Sequence, residues 1–205
     1  MRYFIGYVSK KMPIALWRSP LARAIHRNRS LAYARYFQLA TVDPKGYPAN
    51  RTVVFRGFLD NSNQLKVITD TRSQKIHDIN HHPWGEVCWY FPNTREQFRL
   101  AGQLTLITVD YPDEGLKQVR QQTWQNLSDA ARLQFAWPDP GVARVADQQA
   151  FSPPPPALDQ PLPNFCLLLL EPVKVDHLAL QGFPQNRWLY YQDSSGEWVQ
   201  KAVNP

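Results

Sequence analysis

The chain has 205 residues, 43% of them hydrophobic and 13% aromatic, which excludes a disordered chain and suits one compact core. Its 23 Lys and Arg against 17 Asp and Glu give a formal net charge of +6, a balance that attracts anions such as nucleic acid, acidic lipid or a phosphorylated small molecule. The longest apolar run, Phe165 to Leu170, is strand-sized rather than membrane-spanning.

No Asp or Glu precedes Asp43, while that stretch holds Arg2, Lys10, Lys11, Arg18, Arg23, Arg27, Arg29 and Arg35. It reads as a solvated basic arm or, functionally, as a phosphate-facing edge. A transit peptide has this composition too, but the stretch runs into a strand without a cleavage-like break. Within the arm, taken as residues 1–30, Ser19-Pro20 offers a capping hydroxyl and a Pro at the first helical position, so a helix is expected over about 20–28. Leu21, Ala24 and Ile25 share its inner face.

Strand signals follow. Tyr36 to Val42 ends at the turn Asp43-Pro44-Lys45-Gly46, Asn50 to Leu59 ends at Asp60 to Asn63, and Gln64 to Thr69 completes an expected three-stranded antiparallel meander. Thr71-Arg72-Ser73-Gln74 has the form of a capping box, and with Ile76 and Ile79 on one face it predicts a helix over about 72–81. Strands resume at Glu86 to Phe91 and Gln97 to Val109, where Phe98, Leu100, Leu104 and Leu106 share a face. Residues 113–135 carry helical spacing. Residues 137–163, with four consecutive prolines, can be neither helix nor central strand and read as a wrapping loop. Phe165 to Val175 is the most apolar strand, and Arg187 to Gln192 with Glu197 to Ala202 forms a last hairpin. Seven or eight short strands with few helices predict a mainly β fold, an antiparallel Greek-key barrel with flanking helices in a single domain spanning 1–205. Cys88 and Cys166 lie in apolar runs and read as buried thiols of a soluble, cytoplasmic chain.

Few residues invite chemistry. Arg51, Arg72, Ser73 and Lys75 surround an expected helix start, whose free N–H groups and partial positive charge suit a phosphate; a capped surface helix with solvated charges is the plainer reading. Gln97 could meet the polar edge of a heterocycle, or simply lie on the wet face of a strand. Arg187, among aromatics, could stack on a ring or form a surface ion pair. His77 and His81 share a helical face but lack a third ligand, so no metal is expected. Asp78 and Glu86 have no acid–base spacing, and no Gly-rich phosphate loop or nucleophile elbow occurs.

In order, the strand R-T-V-V (Arg51 to Val54), the strand end I-T (Ile68-Thr69), the helix start S-Q-K (Ser73 to Lys75), E-Q-F-R-L-A-G (Glu96 to Gly102) and R-W-L-Y (Arg187 to Tyr190) resemble the pyridoxamine 5′-phosphate oxidase-like, FMN-binding split-barrel family. Residues 21–36, with R-T-V-V-F-R-G-F, resemble its uncharacterised cyanobacterial and plant branch. The resemblance implies a homodimer with FMN between the subunits and no nucleic-acid or membrane partner. Arg51 and Lys75 would hold the phosphate, with Ser73 and the helix start assisting. Gln74 stands where many relatives have Arg, and Arg72 is the candidate replacement. Thr52, Val53, Val54, Ile68 and Thr69 would line the flavin, and Gln97 and Arg187 would reach it, from the other subunit. Arg56 replaces a Lys on the substrate side, where Trp124, Trp137 and Phe183 are candidate walls. The R-x-H-D-R ending by which the authentic oxidase grips pyridoxal is here Phe183-Pro184-Gln185-Asn186-Arg187, which keeps only the last Arg. The expected function is therefore an FMN-dependent oxidoreductase of unknown substrate. The alternatives are a non-catalytic flavin- or haem-binding protein and, last, a nucleic-acid-binding barrel.

Overall fold

The computed structural model describes residues 13–205, so Arg2, Lys10 and Lys11 of the basic arm lie outside the described residues. Eight antiparallel strands form one sheet: β1 (Tyr36–Val42), β2 (Pro48–Val54), β3 (Leu65–Asp70), β4 (Trp84–Phe91), β5 (Glu96–Ile107), β6 (Phe165–Ala179), β7 (Asn186–Gln192) and β8 (Trp198–Val203). The helices are α1 (Arg18–Arg27), α2 (Gln74–His81), α3 (Glu114–Gln125) and α4 (Asp129–Leu133). The mainly β class with flanking helices stands. α1 begins a residue before the expected cap. The Ser19 hydroxyl accepts a bond from Arg23 instead of capping, while Leu21 and Ala24 are buried in the core as expected.

The strand order is β2-β1-β4-β5-β6-β7-β8, and β3 pairs with β6. This corrects the expected meander. β2 stops at Val54 rather than Leu59 because Gly57, at φ 96°, bends the chain; only short bonds such as Arg56 N–H to Lys66 O then join this segment to β3. β6 is the strand where the sheet divides. Its first half pairs with β3 and its second half with β7, while β5 follows both. Pro172, which has no N–H to offer, sits at the change of partner. The run Phe165–Leu170 is buried throughout because Leu168 and Leu170 enter the main core while Leu167 and Leu169 pack with Ile107, Leu116 and Val119 around α3. Trp89 anchors the barrel among Phe37, Phe55 and Phe91, its indole N–H donating to Ala34 O. Cys166 is buried as expected, but Cys88 is only half-buried, on the face that carries Arg99.

The division of the sheet depends on Gly102. A β-carbon there would lie 1.9 Å from Glu171 O and 2.8 Å from Pro172 Cα, both backbone atoms of β6. Gly102→Ala is expected to cost about 3 kcal/mol, because the backbone and not a side chain must move. Thermal unfolding should show a melting point roughly 6–12 °C lower; an unshifted one would mean that β5 and β6 can separate there freely.

Candidate functional site

β3 ends where the chain must turn into α2, and Asp70 makes the turn. Its carboxylate accepts from the Arg72 N–H and its carbonyl from the Ser73 N–H. The helix then opens at Gln74 with Ser73 as N-cap residue and no side chain capping it. The expected capping box therefore does not form. The Ser73 hydroxyl donates to Asp70 O, and the Gln74 amide reaches Asp78 at 3.4 Å. The first turn of α2 thus keeps backbone donors for a ligand.

Lys75 stands in that turn. Its ammonium donates to Thr69 Oγ1 and Ser73 Oγ, each at 3.0 Å, and among the described residues it makes no ion pair. Burial, and then the nearby Arg51, push its pKa below the ordinary lysine value. A cation with only neutral oxygens for company is prepared for an anion. Arg51 is held from behind: its guanidinium donates to Thr41 Oγ1 at 2.7 Å, Leu39 O at 3.2 Å and Asp78 Oδ2 at 3.2 Å. Asp78, fully buried on α2, also accepts from the Thr41 hydroxyl.

These groups border a cavity of about 720 Å³. β2 and its extension supply Arg51, Thr52, Val53, Val54 and Arg56; β3 and the start of α2 supply Ile68, Thr69, Arg72, Ser73 and Lys75. The remaining wall comes from α4, the 3₁₀ turn Gln134–Ala136 after it and the proline-rich strap, including Phe135, Trp137, Asp139, Arg144 and Phe151. The strap is less irregular than expected, with a single 3₁₀ turn over Gln148–Phe151.

Arg72 lines the cavity but is committed to the strap. It forms a fork with Asp70 at 3.0 and 2.7 Å, pairs with Asp139 at 2.9 Å and donates to the carbonyls of Phe135 and Trp137. Burial opposes ionisation of Asp70, yet its bonds from Arg72 and Asn164 hold its pKa below the ordinary carboxylate value. The Gln74 side chain does not border the cavity. Gln97 and Arg187 lie elsewhere in the same chain, facing Leu178 from the strands on either side of it. Arg187 grips Asp176 in two bonds, at 3.0 and 2.7 Å, and Arg99 joins at 2.6 Å. Of the candidate walls, only Trp137 borders the cavity. Trp124 is fully buried against Phe135 and Phe165, with its N–H on Ala157 O, and Phe183 is wholly exposed. Among the described residues no cluster of three potential metal ligands occurs, and no helix is long and apolar enough to cross a membrane.

Asp78, Asp139, Arg144 and Phe151 were not singled out from the sequence as site residues. For Asp78 a signal existed, since it stands four residues after Gln74 on the inward face beside Ile79. The strap residues carry no periodicity that could place them.

The family model described as pyridoxamine 5′-phosphate oxidase, FMN-binding domain, matches residues 14–108. Over 197 residues the chain is 40% identical to pyridoxine/pyridoxamine 5′-phosphate oxidase 2 of Arabidopsis thaliana, covering 94% of this chain and 98% of that protein. It is similar to the crystal structure of a pyridoxamine 5′-phosphate oxidase-related, FMN-binding protein of Nostoc punctiforme, with a TM-score of 0.92 and 61% identity over 95% of this chain and 100% of that one. PhzG of Burkholderia lata, solved with tetrahydrophenazine-1-carboxylic acid, shares the fold at a TM-score of 0.72 and 18% identity, over 93% of this chain and 91% of that one. A split sheet with a cationic, uncapped helix start at its edge, and these likenesses over nearly the whole length, place the chain in the pyridoxamine 5′-phosphate oxidase-like family of FMN-binding split-barrel proteins.

Proposed function

We propose that the chain is an FMN-dependent oxidoreductase, a single unit that works as a homodimer in the cytoplasm, on a substrate it does not hold as the authentic oxidase holds pyridoxal. The observation that carries this reading is the cradle of Lys75, Ser73, Thr69 and Arg51 at the open end of α2. It fits a phosphate: an ammonium bonded only to hydroxyls, a guanidinium aligned by a buried carboxylate, and free helix N–H groups. FMN, when bound, supplies a ring that accepts and returns a hydride. The chain's own part is to hold it. Lys75, Ser73 and Thr69 neutralise and orient the phosphate, and Val53, Val54 and Ile68 give the ring system an apolar wall. Where the authentic oxidase places an Arg and a His for pyridoxal, Phe183 and Gln185 are exposed, so those polar contacts are missing. The free thiols of Cys88 and Cys166 accord with a reducing compartment.

The separation of Arg187 and Gln97 from the cradle within one chain supports a site completed by the partner subunit. Complementation tests it. Lys75→Ala and Arg187→Ala are each expected to lose FMN as homodimers. Co-expressed with different tags, the mixed dimer should regain one intact site, read as FMN content of the doubly purified species. A mixed dimer as empty as its parents would place the whole site within a single chain.

A further inference from the structure

Arg187 is a long side chain on a fixed backbone. Beneath it, on the inner face of the sheet, Glu96 of β5 and His177 of β6 bond at 2.9 Å. Phe98 stacks on the His177 ring with centroids 4.0 Å apart, and the Trp188 ring of β7 lies 5.1 Å from it. The three strands are thus held together from inside, and what is left to fix is the direction of the Arg187 side chain.

On the outer face Gln97, Leu178 and Arg187 stand in register, one from each strand, and Arg99, Asp176 and Leu189 form the next row. Arg99 therefore meets Asp176 directly, while Arg187 meets it across a diagonal that only a long side chain spans. The Asp176 side chain is 7% exposed, and among the described residues it accepts only from these two guanidinium groups. Oδ2 takes Nη2 of Arg99 at 2.6 Å and Nη2 of Arg187 at 2.7 Å, and Oδ1 takes Arg187 Nε at 3.0 Å. Burial opposes ionisation of Asp176, but these bonds keep its pKa below the ordinary carboxylate value. The second acid of the cluster, Glu86, stands 3.8 Å from Arg99 and makes no ion pair with Arg187. Asp176 is therefore the carboxylate that orients Arg187. Its two bonds fix the plane of the guanidinium and leave Nη1 without a partner among the described residues.

The geometry points to Asp176 as the positioning residue of the second half of the flavin site: it aims Arg187, with Nη1 unspent, at FMN held by the partner subunit. This rests on the reading of an FMN site shared by two chains, and it adds a residue that itself touches no ligand. Without the carboxylate the Arg187 side chain regains its rotamers, and that freedom is lost again each time FMN binds.

Asp176→Ala is expected to raise the Kd for FMN about tenfold, and Asp176→Glu to recover part of the loss. Asp176→Ala combined with Arg187→Ala should bind FMN no more weakly than Arg187→Ala alone, because the carboxylate acts through the guanidinium. Mixed dimers, purified through two tags and titrated with FMN, then sort the residues into half-sites. Asp176→Ala paired with Lys75→Ala should regain one tight site per dimer, and Asp176→Ala paired with Arg187→Ala should have none. A residue that merely supported the fold would not sort in this way. Should Asp176→Ala fail to assemble, Asp176→Asn takes its place with the same sorting expected. If Asp176→Ala binds FMN as the unaltered protein does, or if its mixed dimer with Arg187→Ala shows a tight site, the inference falls and the shared site stands. A mixed dimer of Lys75→Ala and Arg187→Ala without a tight site overturns the shared site and the inference with it.

Discussion

Lys75→Met is expected to weaken FMN binding and to stabilise the ligand-free fold at the same time. The first effect follows from the cradle, where the Lys75 ammonium is the cation without a protein counter-charge. Losing a charge-assisted bond to a phosphate costs about 1.5–3 kcal/mol, a rise in Kd of roughly 10- to 100-fold. The second effect follows from desolvation. Burial, reinforced by Arg51, makes the charged lysine unwelcome in the empty fold and lowers its pKa. Between that lowered value and the ordinary lysine value of 10.5, the unfolded chain binds more protons than the folded one, so ligand-free stability rises with pH across this window. Below the window the folded state still carries the full desolvation penalty. Methionine keeps the length of the side chain and removes the charge, so its ligand-free melting point should exceed that of the unaltered protein at neutral pH. The rise towards alkaline pH should flatten. Calorimetry of both ligand-free proteins, with FMN titrations, reads the two effects separately. Lower stability together with unchanged FMN affinity would make Lys75 a structural residue.

Asp78→Ala should behave in the opposite way on the fold. Asp78 is fully buried and accepts from the Thr41 hydroxyl and the Arg51 guanidinium, so its removal leaves a buried hydroxyl and a cation without their acceptor. Breaking such a network by deleting one partner costs about 3 kcal/mol, or roughly 6–12 °C in melting point for a chain of this size. Arg51 also loses the contact that aims it, so FMN affinity should fall along with stability. Asp78→Asn keeps an acceptor and is expected to lie between. The contrast is diagnostic. The Lys75 substitution separates binding from stability, and the Asp78 substitution couples them. If Asp78→Ala melts as the unaltered protein does, Arg51 is held by Thr41 and Leu39 alone.

The local chemistry of the cradle was legible because it is local. Thr69, Ser73 and Lys75 span only six positions, and a strand end followed by a helix start brings them together whatever the rest of the chain does. The apolar run Phe165–Leu170 likewise announced a strand, and the structure buries it on both faces. What failed depended on competing partners, some near and some far along the chain. Thr71 and Gln74 have capping-box spacing, but Asp70 takes Ser73, and Asp78 takes Gln74. Arg72 read as a phosphate ligand because it stands beside Ser73 and Lys75 at the same helix start. Besides Asp70, its partners Asp139 and the Trp137 carbonyl lie more than sixty positions along the chain, in a segment whose prolines suppress any periodic signal. Gly57 lay inside the expected strand Asn50 to Leu59, and its positive φ bends the chain there instead. Trp124 has the spacing of a helix face, and that face turned out to pack on Phe165 rather than to border the cavity.

The central claim is that the cavity between β2, β3, α2 and the strap holds FMN. The visible absorption spectrum of the purified protein tests it most directly, with the small molecule released on denaturation identified by mass spectrometry and quantified against protein. The account predicts a two-band flavin spectrum, FMN as the released species, and loss of both in Lys75→Ala. A colourless protein that also takes up no added FMN would contradict it.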